Sequence, residues 1–321
     1  MSRIDLLPFG DEHLGAAGRL LAGRHRRHRQ AEPALPRRFE DPEESRKEVE
    51  SAWRQEHASG AVALSDGRFA GYLIGAPRSS PAWGPNVWIE AAGHAAEDPE
   101  LVRFLYGAAA VRWVEDARTA HYALVPASDA GLVDAWFRLG FGQQHAHGIR
   151  EVPPVAFHRP PGITVRRAGP ADVDAAVMLD LVLPEYQVGS PVFSRGPMPR
   201  AADVRDDIAE ELSDPARAVF LAEADGRPVG ASTAASVKES GAHSGLARPE
   251  SACILGFAAT LPEFRGRGVG LALTEAVFEW ARNSGYSTIV VDWRVTNLSA
   301  SQFWPSRGFR QSFLRLYRSI P

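Results

Sequence analysis

The two halves of the chain carry matching short segments in the same order. Asp66-Gly-Arg-Phe-Ala-Gly71 matches Asp225-Gly-Arg-Pro-Val-Gly230 at an offset of 159 residues. Ala135-Trp-Phe-Arg-Leu-Gly-Phe141 matches Phe303-Trp-Pro-Ser-Arg-Gly-Phe309 at an offset of 168 residues. The offset is far longer than the roughly 20–50 residues of a solenoid repeat. A chain of 321 residues has room for two domains, so the repeat predicts one domain used twice.

A proline-rich stretch separates the two copies. Residues 153–161 contain four prolines, which cannot continue a helix or pair within a central strand. We therefore expect a first domain at residues 1–152, a linker at 153–161 and a second domain at 162–321. The offsets differ by nine residues, and we place these extra residues in the Gly-, Ser- and Ala-rich segment 236–251 of the second copy.

Each half has the same sequence of expected elements: a strand, one or two helices, a hairpin, a central strand, a long helix, a strand, a short helix and a final strand. In the second half the central strand is expected at residues 252–259 and the long helix at 268–282, with Gly285 as its C-terminal cap. The Asp-Gly pairs at 66–67 and 225–226 predict hairpin turns. Helices and strands mixed in this way predict an α/β (α+β) fold class.

The composition excludes several classes of protein. The net charge of -3, from 36 basic and 39 acidic residues, argues against a broad electrostatic grip on nucleic acid or on an anionic membrane. The single cysteine, Cys253, excludes a disulfide framework and a multi-cysteine zinc site, and we expect no metal. We expect Cys253 to be a small core residue rather than a nucleophile.

Residues 1–14 lack the pattern of a signal peptide, and no apolar run reaches the roughly 18 residues of a membrane span, so we expect a cytoplasmic protein.

The strongest local motif is Pro262-Glu-Phe-Arg-Gly-Arg-Gly-Val-Gly270. It lies between an expected strand and the start of an expected helix. Glycines allow the backbone to bend sharply there, and the first amides of a helix form a binding site for an anion. Arg265 and Arg267 add positive charge suited to phosphate. The motif has neither the dinucleotide fingerprint nor the P-loop spacing, and it predicts binding of a pyrophosphate.

With this loop, the second half resembles the GNAT superfamily of N-acetyltransferases. The family's phosphate loop, Gln/Arg-x-x-Gly-x-Gly/Ala, is matched by Arg265-Gly-Arg-Gly-Val-Gly270. A second family motif is matched by Asn297, Ala300 and the Gly308-Phe309 pair. The resemblance implies two tandem GNAT-like domains, each a mixed, mostly antiparallel central sheet flanked by helices. It also implies direct transfer of an acetyl group from acetyl-CoA, bound in the C-terminal domain, to an amine.

The resemblance implies which residues hold acetyl-CoA. The loop would bind the pyrophosphate, the strand before it would hydrogen-bond the pantetheine arm through its backbone, and the second motif would contact the pantetheine region. The residues implied are Phe257, Ala258, Ala259, Arg265, Gly266, Arg267, Gly268, Val269, Gly270, Asn297 and Trp304.

The first half lacks the phosphate loop. Residues 93–102 occupy its place, and Glu97, Asp98 and Glu100 would repel phosphate. We therefore expect a degenerate N-terminal domain that does not hold CoA in the usual way, which is similar to the arrangement in tandem members of the family.

Two proton-handling positions of the family are changed. Many members have a Tyr seven residues after the Asn, where this chain has Trp304, and some have a Glu eleven residues before the loop Arg, where it has Ile254. An indole N–H is not an acid at neutral pH. Glu250, His243 and Asp292 are the candidate bases, and the alternative for each is a solvated residue of a loop or strand end. The two changes leave open an alternative function, a non-catalytic acyl-CoA sensor or scaffold.

The acceptor and the assembly remain open at this stage. We expect a small-molecule or peptide amine, no nucleic acid, no membrane, and either a monomer or a homodimer. Segment 183–193 is expected to link the first two helices of the second domain. The family resemblance implies that this segment covers the acceptor pocket, and ordinary loop packing is the alternative. We expect the basic run 24–29 to be the exposed end of a helix, with binding of nucleic acid or of CoA phosphate as the alternative. We expect four tryptophans of the first half to pack in the core, with an aromatic surface for a ligand or subunit as the alternative: Trp83, Trp88, Trp113 and Trp136.

Overall fold

The computed structural model describes residues 3–79, 83–155, 160–189 and 198–321. Helices alternate with strands through both halves, and the strand pairs are antiparallel except for two parallel pairs among those described. The predicted α/β (α+β) class with mixed, mostly antiparallel sheets is confirmed. No helix within these ranges is long and apolar enough to cross a membrane.

Two compact units make up the chain. Unit 1 comprises Met1–His147, Gly245–Arg248 and Gln311–Pro321, and unit 2 comprises Gly148–Ser244 and Pro249–Arg310. The units differ from the expected division at 152 and 162 because the last residues of the chain lie in unit 1. The boundaries 1–152, 153–161 and 162–321 therefore describe the repeat in the sequence, whereas each compact unit is built from segments that are not contiguous in the sequence. Linker residues 156–159 lie outside the described residues.

The elements of unit 1 form two sheets and the helices packed on them. The first sheet has the strand order β1-β2-β3-β5, and the second contains β4, β6 and β13. The bounds are β1 (Ile4–Pro8), α1 (Leu14–Ala31), α2 (Pro42–Trp53), β2 (Ser59–Ser65), β3 (Arg68–Gly75), β4 (Asn86–Ile89), β5 (His94–Ala96), α3 (Leu101–Glu115), β6 (Ala120–Pro126), α4 (Ala130–Arg138) and β13 (Arg310–Ser319), of which Arg310 falls in unit 2. One further strand, β7 (Gly142–Glu151), begins in unit 1 and ends in unit 2.

Unit 2 is built on a sheet with the strand order β12-β11-β10-β9-β8. The bounds are β8 (Thr164–Arg167), α5 (Val173–Gly189), α6 (Ala201–Ser213), β9 (Ala218–Ala224), β10 (Arg227–Ser236), β11 (Ala252–Thr260), α7 (Val269–Asn283), β12 (Thr288–Arg294) and α8 (Leu298–Ser306). The central strand and the long helix each lie within one residue of the predicted bounds.

The repeated Asp-Gly pairs form the same turn in both units. Asp66 and Gly67 have φ of 49° and 79°, and Asp225 and Gly226 have φ of 50° and 74°. A two-residue hairpin turn with both central φ values positive suits the twist of the strands that it joins. The predicted hairpins β2–β3 and β9–β10 are confirmed.

The nine extra residues of the second copy are distributed differently from the prediction. Strand pairing makes Gly230 equivalent to Gly71, an offset of 159, and Ala252 equivalent to Asn86, an offset of 166. Seven residues are thus gained before β11. The offset is 164 at Thr260 and Ala96, where β11 and β5 end, and 168 at the starts of α7 and α3. Segment 236–251 alone does not account for the difference, because the loop before α7 is itself four residues longer than its counterpart.

The basic run at the end of α1 is not wholly exposed as predicted. Arg24, His25 and His28 are buried, whereas Arg26 and Arg27 are exposed. The Arg24 guanidinium donates to the carbonyl oxygens of His94 and Ala91. Packing of α1 on β5 explains the correction, since one face of the helix is turned into the core of unit 1.

The core prediction for the tryptophans of the first half is confirmed. Trp113 and Trp136 are 3% and 0% exposed. Trp88 is buried and stacks on Tyr122 with ring centroids 4.5 Å apart. Trp83 is half-buried and packs edge-on against Trp88 at 4.9 Å. Aromatic packing of this kind stabilises the fold.

Cys253 is a core residue, as predicted. Its side chain is fully buried in β11, and burial raises the pKa of its thiol to about 12. A thiol in this state is not a nucleophile at neutral pH.

Three buried histidines predict that acid destabilises unit 1. Burial lowers the pKa of His25 to about 4 and that of His28 and His94 to about 3. Between about pH 6.5 and 4 the unfolded chain binds protons that the folded chain does not, so each histidine removes up to about 1.4 kcal/mol of unfolding free energy per pH unit as the pH falls. Urea denaturation at about pH 7.5 and about pH 5 measures this loss.

A His28→Phe variant is expected to reduce that pH dependence, because it keeps an aromatic ring against Phe313, 4.7 Å away, and removes the titrating group. His57→Phe, at a largely exposed position, is the control. Equal pH dependence of unfolding in both variants would contradict the assignment to His28.

Candidate functional site

A cleft opens where two neighbouring strands of unit 2 separate. β11 and β12 pair in parallel only through Ala252–Ile254 and Thr288–Val290. β11 remains paired with β10 as far as Thr260, so its other edge leaves β12 beyond Ile254. A cavity of about 730 Å³ lies at this divergence, between the second halves of the two strands, α5, α8 and the start of α7.

A bulge in β11 accompanies the divergence. Leu255 pairs with Ala234 and Phe257 pairs with Thr233, so Gly256 is an extra residue without an opposite partner on β10. A bulge bends its strand and increases the local twist. The bulge was not among the features predicted from the sequence, although a glycine inside the apolar run Ile254-Leu-Gly-Phe257 is a known sign of a bulge.

The glycine-rich loop forms one end of the cleft. Gly266 and Gly268 have φ of 75° and 89°, and Gly268 is the N-cap of α7. A β-carbon on Gly270 would lie 3.3 Å from the Phe303 ring, so this glycine allows close packing of α7 against α8. The amides of the first turn of α7 have no acceptor within the helix and carry the positive end of its dipole.

Both arginines of the loop are exposed. The Arg265 guanidinium lies 4.5 Å from the centre of the Tyr186 ring, and that of Arg267 lies 5.2 Å from the Phe264 ring. Stacking on rings orients the two cations without neutralising them. The loop therefore combines exposed positive charge with open backbone amides, which suits an anion.

Asn297 has a structural role in the second motif. Its side-chain oxygen accepts a hydrogen bond from the amide of Ala300 at 3.1 Å and caps α8. In unit 1 the side chain of Asp129 caps α4 in the same way, through Leu132 at 3.0 Å. The Asn-x-x-Ala spacing is thus a helix N-cap, placed so that Asn297 also lines the cleft.

Trp304 closes the inner wall of the cleft. It is 6% exposed and packs edge-to-face on Phe303 and Phe309, with ring centroids 4.9 and 5.6 Å away. Among the described residues that line the cleft, Tyr186 is the one tyrosine. Its hydroxyl lies 3.3 Å from the Ser299 hydroxyl.

The expected link between helices at 183–193 needs correction. Residues 183–189 are the last turns of α5, which continues through Pro184, and the remainder of that segment lies outside the described residues. The helix carries Leu183, Tyr186 and Gln187 to the cleft, so this segment does line the site, as a helix rather than a loop. Packing of α5 against the sheet outweighs the loss of one helical hydrogen bond at the proline.

The three candidate bases lie in different places. Asp292, half-buried near the end of β12, lines the cleft. Glu250 is exposed before β11, and His243 is buried, with its Nδ1 3.1 Å from the Ser240 hydroxyl. Neither Glu250 nor His243 is among the residues that line the cleft.

The structure gathers nearly all of the predicted binding residues around this one cleft, while Arg267 lies in the loop but outside the lining. Further lining residues that the sequence analysis did not identify come from the bulge, the loop, α7, β12 and α8. They include Gly256, Thr260, Phe264, Leu271, Arg294, Ser299, Gln302 and Phe303.

In unit 1 the corresponding place is filled. The strand equivalent to β11 is split into β4, which pairs with β6, and β5, which pairs with β3. Nε2 of His94 in β5 lies 3.0 Å from the carbonyl oxygen of Leu124 in β6, and the buried Arg24 donates to the His94 carbonyl. The Trp136 ring packs edge-on against His94 at 5.7 Å. Side chains therefore occupy the space that the divergence opens in unit 2.

The start of α3 carries carboxylates in place of the phosphate loop. The Asp98 side chain accepts from the amide of Glu100 at 3.0 Å. Arg68 pairs with Glu97 and lowers the pKa of that carboxyl below its usual range. The N-terminus of α3 is thus capped by a carboxylate of the chain itself. This agrees with the expected degenerate character of the first copy.

Comparison with known proteins gives the family. The model of the acetyltransferase (GNAT) family matches residues 178–309. The aminoglycoside N(6')-acetyltransferase type 1 of Stenotrophomonas maltophilia is 32% identical over 162 residues, which cover 49% of this chain and 93% of that relative. The chain belongs to the GNAT family. The predicted N-acetyltransferase class is thereby confirmed.

The other similarities concern a shorter segment and the fold. Human N-acetyltransferase 8B is 38% identical over 61 residues, 18% of this GNAT chain and 27% of that protein. A GCN5-related N-acetyltransferase from Sphaerobacter thermophilus has a TM-score of 0.59 at 17% identity, covering 98% of this chain and 95% of its own. A tandem GNAT protein from the clavulanic acid biosynthesis pathway has a TM-score of 0.50 at 15% identity, covering 99% and 98%. These two structures show that the tandem fold extends over both halves.

Two glycines with positive φ flank α7, and substitution of Gly268 by alanine is expected to destabilise the fold more than substitution of Gly285. A β-carbon on Gly268 would lie 2.5 Å from Pro160, whereas one on Gly285, with φ of 76°, would have no atom within 4 Å. Gly268→Ala should cost about 2–4 kcal/mol of unfolding free energy, and Gly285→Ala about 1–2 kcal/mol, since only the first adds a clash to the backbone strain. Chemical denaturation measures both, and equal losses would contradict the close packing of Pro160 on the loop.

Proposed function

We propose that unit 2 binds acetyl-CoA in the cleft between β11 and β12 and transfers its acetyl group to the amine of a small molecule. The observation that carries this proposal is the divergence of the two strands beside a glycine-rich helix start. At this divergence the start of α7, which suits an anion, and the open edge of β11 line the same cavity.

The loop residues suit the pyrophosphate of CoA. Amides at the start of α7 would donate to the phosphate oxygens, and the positive φ of Gly266 and Gly268 allows the backbone to approach without side chains in the way. Arg265 lines the cleft and would pair with a phosphate, while the exposed Arg267 adds positive charge at the entrance.

The free edge of β11 suits the pantetheine arm. Phe257, Ala258 and Ala259 pair with β10 on one side, and in the described strands the ladder to β12 ends at Ile254. Backbone groups on the open edge would hydrogen-bond an extended arm with amide groups, as an added strand does. The arm would lead from the loop toward the bulge at Gly256.

Bound acetyl-CoA would supply an acetyl thioester. The nitrogen of the neutral acceptor amine would form a bond to the acetyl carbon as the C–S bond breaks. The nitrogen would lose one proton, and CoA would leave with a proton on its sulfur. Asp292 lines the cleft and would accept the amine proton, directly or through one water. Trp304 fills its site with a group that does not titrate, so the sulfur would take its proton from solvent.

The acceptor is inferred from the relatives and from the cavity. The relative that this chain covers to 93% is named as an aminoglycoside acetyltransferase, which supports a small-molecule amine over a peptide. In unit 1 the equivalent of the cleft is filled by Arg24, His94 and Trp136. We therefore infer one acetyl-CoA site per chain.

Charge reversal in the loop tests the cofactor site. Arg265→Glu should weaken acetyl-CoA binding by about tenfold to a hundredfold, because a charge-assisted contact with phosphate is lost. Arg227→Glu makes the same charge change at an exposed position outside the cleft and should leave the affinity unchanged. Calorimetry measures the affinity and the number of sites. Two sites per chain, or equal effects of the two variants, would contradict this assignment.

Removal of the Asp292 carboxylate tests the base. Asp292→Asn should lower kcat by about a hundredfold and remove the acidic limb of the pH–rate profile, with the Kd for acetyl-CoA unchanged. Glu250→Gln is the matched control and should retain the profile. A normal profile in Asp292→Asn would exclude this residue as the base, and acetyl-CoA binding without transfer to any amine would favour the sensor alternative.

A further inference from the structure

One side chain of α5 contacts two walls of the cleft. The centre of the Tyr186 ring lies 4.5 Å from the Arg265 guanidinium of the glycine-rich loop. The Tyr186 hydroxyl lies 3.3 Å from the hydroxyl of Ser299, in the first turn of α8. All three residues line the cleft. Tyr186 belongs to neither sequence motif, yet it connects the loop of the first motif with the helix that Asn297 of the second motif caps.

Arg265 is held by an aromatic ring rather than by a carboxylate. Within the part of the chain that the structure describes, no carboxylate forms an ion pair with Arg265, whereas Arg166 and Arg310 of the same unit do pair with carboxylates. A ring orients a guanidinium and leaves its charge available to an anion. The loop arginine therefore has a preferred direction and keeps its full positive charge.

The stacked pair lies between the cleft and a second cavity. Tyr186 and Arg265 line both the cleft and a neighbouring space of about 540 Å³ beside α5. Glu185 is exposed and lines the second space but not the cleft. Without the ring, the long side chain of Arg265 would be free to turn toward that carboxylate, whose opposite charge attracts it. The ring thus keeps the guanidinium on the side of the cleft.

Unit 1 lacks both members of this pair. α1 begins at residue 14 and α5 at residue 173, so the position of Tyr186 corresponds to Arg27, which is exposed. α3 begins at residue 101 and α7 at residue 269, so the position of Arg265 corresponds to Glu97. The ring and the cation therefore occur together in the unit that has the open cleft.

We propose that Tyr186 is a positioning residue for the donor: its ring directs Arg265 into the cleft, toward the pyrophosphate of acetyl-CoA, and its hydroxyl contact with Ser299 anchors the ring. An arginine side chain loses rotamer freedom when it binds a phosphate, and the stack removes part of that freedom before acetyl-CoA binds. Tyr186 acts through Arg265. This inference rests on the proposed function, because it concerns the donor site of the same cleft.

The test is a double-mutant cycle on the affinity for acetyl-CoA, measured by calorimetry. Tyr186→Leu should weaken binding about threefold to tenfold, because the Arg265 side chain must then be ordered when acetyl-CoA binds. In an Arg265→Gln background, Tyr186→Leu should change the affinity by less than about twofold, since the side chain that the ring positions is gone.

Three further variants separate the roles of the ring, its hydroxyl and the fold. Tyr186→Phe keeps the ring and should stay within about threefold of the wild-type affinity, and Ser299→Ala removes the same hydroxyl contact from the other side and should match it. Tyr286→Leu is the matched control, because its ring packs on Trp280 at 5.5 Å and does not line the cleft. It should leave the affinity unchanged. Thermal denaturation of each variant shows whether the fold is retained.

The outcomes distinguish this inference from the proposed function. No loss of affinity in Tyr186→Leu, additive losses in the cycle, or a loss in Tyr186→Phe as large as that in Tyr186→Leu would overturn the positioning role while the acetyl-CoA site stands. Absence of acetyl-CoA binding by the wild-type protein would overturn the proposed function, and this inference with it. A loss in Tyr186→Leu that disappears with Arg265→Gln and is largely recovered in Tyr186→Phe would establish the positioning role.

Discussion

The short parallel ladder between β11 and β12 is the constraint on which the site depends. Three residue pairs hold the strands together at Ala252–Ile254, and the extra residue Gly256 then turns β11 away. A sheet that stayed paired would leave neither a free backbone edge nor a cavity. Because β11 keeps its ladder to β10 on the other side, the divergence frees the backbone groups that face β12 and leaves those that face β10 paired.

At the same position in unit 1 the space between the strands is filled instead of open. Its equivalent strand is split into β4 and β5, and the gap is filled by Arg24 and His94 rather than left open. Burial of a guanidinium costs free energy unless the group is well paired, and the Arg24 guanidinium donates hydrogen bonds to the carbonyl oxygens of His94 and Ala91. Unit 2 therefore has an open cleft and a glycine-rich loop, whereas unit 1 has polar side chains and carboxylates in the same positions.

Local patterns predicted much of this molecule. The Asp-Gly turns, the helix at 268–282 with Gly285 as its cap, and the glycine-rich bend before that helix are all confirmed as local structures, because each depends on the backbone preferences of a few adjacent residues. The bulge at Gly256 could also have been predicted, because a glycine interrupts the apolar run of the strand. The burial of Arg24 and His28 was not, since charged and polar residues at the end of a helix are usually solvated, and only the packing of α1 shows which face is turned inward.

The sequence by itself determined the repeat, the fold class, the position of the glycine-rich loop and the membership of the GNAT family through two spaced motifs. Only the tertiary structure decided that β13 completes unit 1, that Asp292 rather than Glu250 or His243 lines the cleft, and that Tyr186 contacts both Arg265 and Ser299. The reason is physical. Turns, caps and glycine loops are set by interactions between residues a few positions apart, whereas strand partners and cavity linings are set by contacts between residues far apart in sequence, which short-range patterns do not encode.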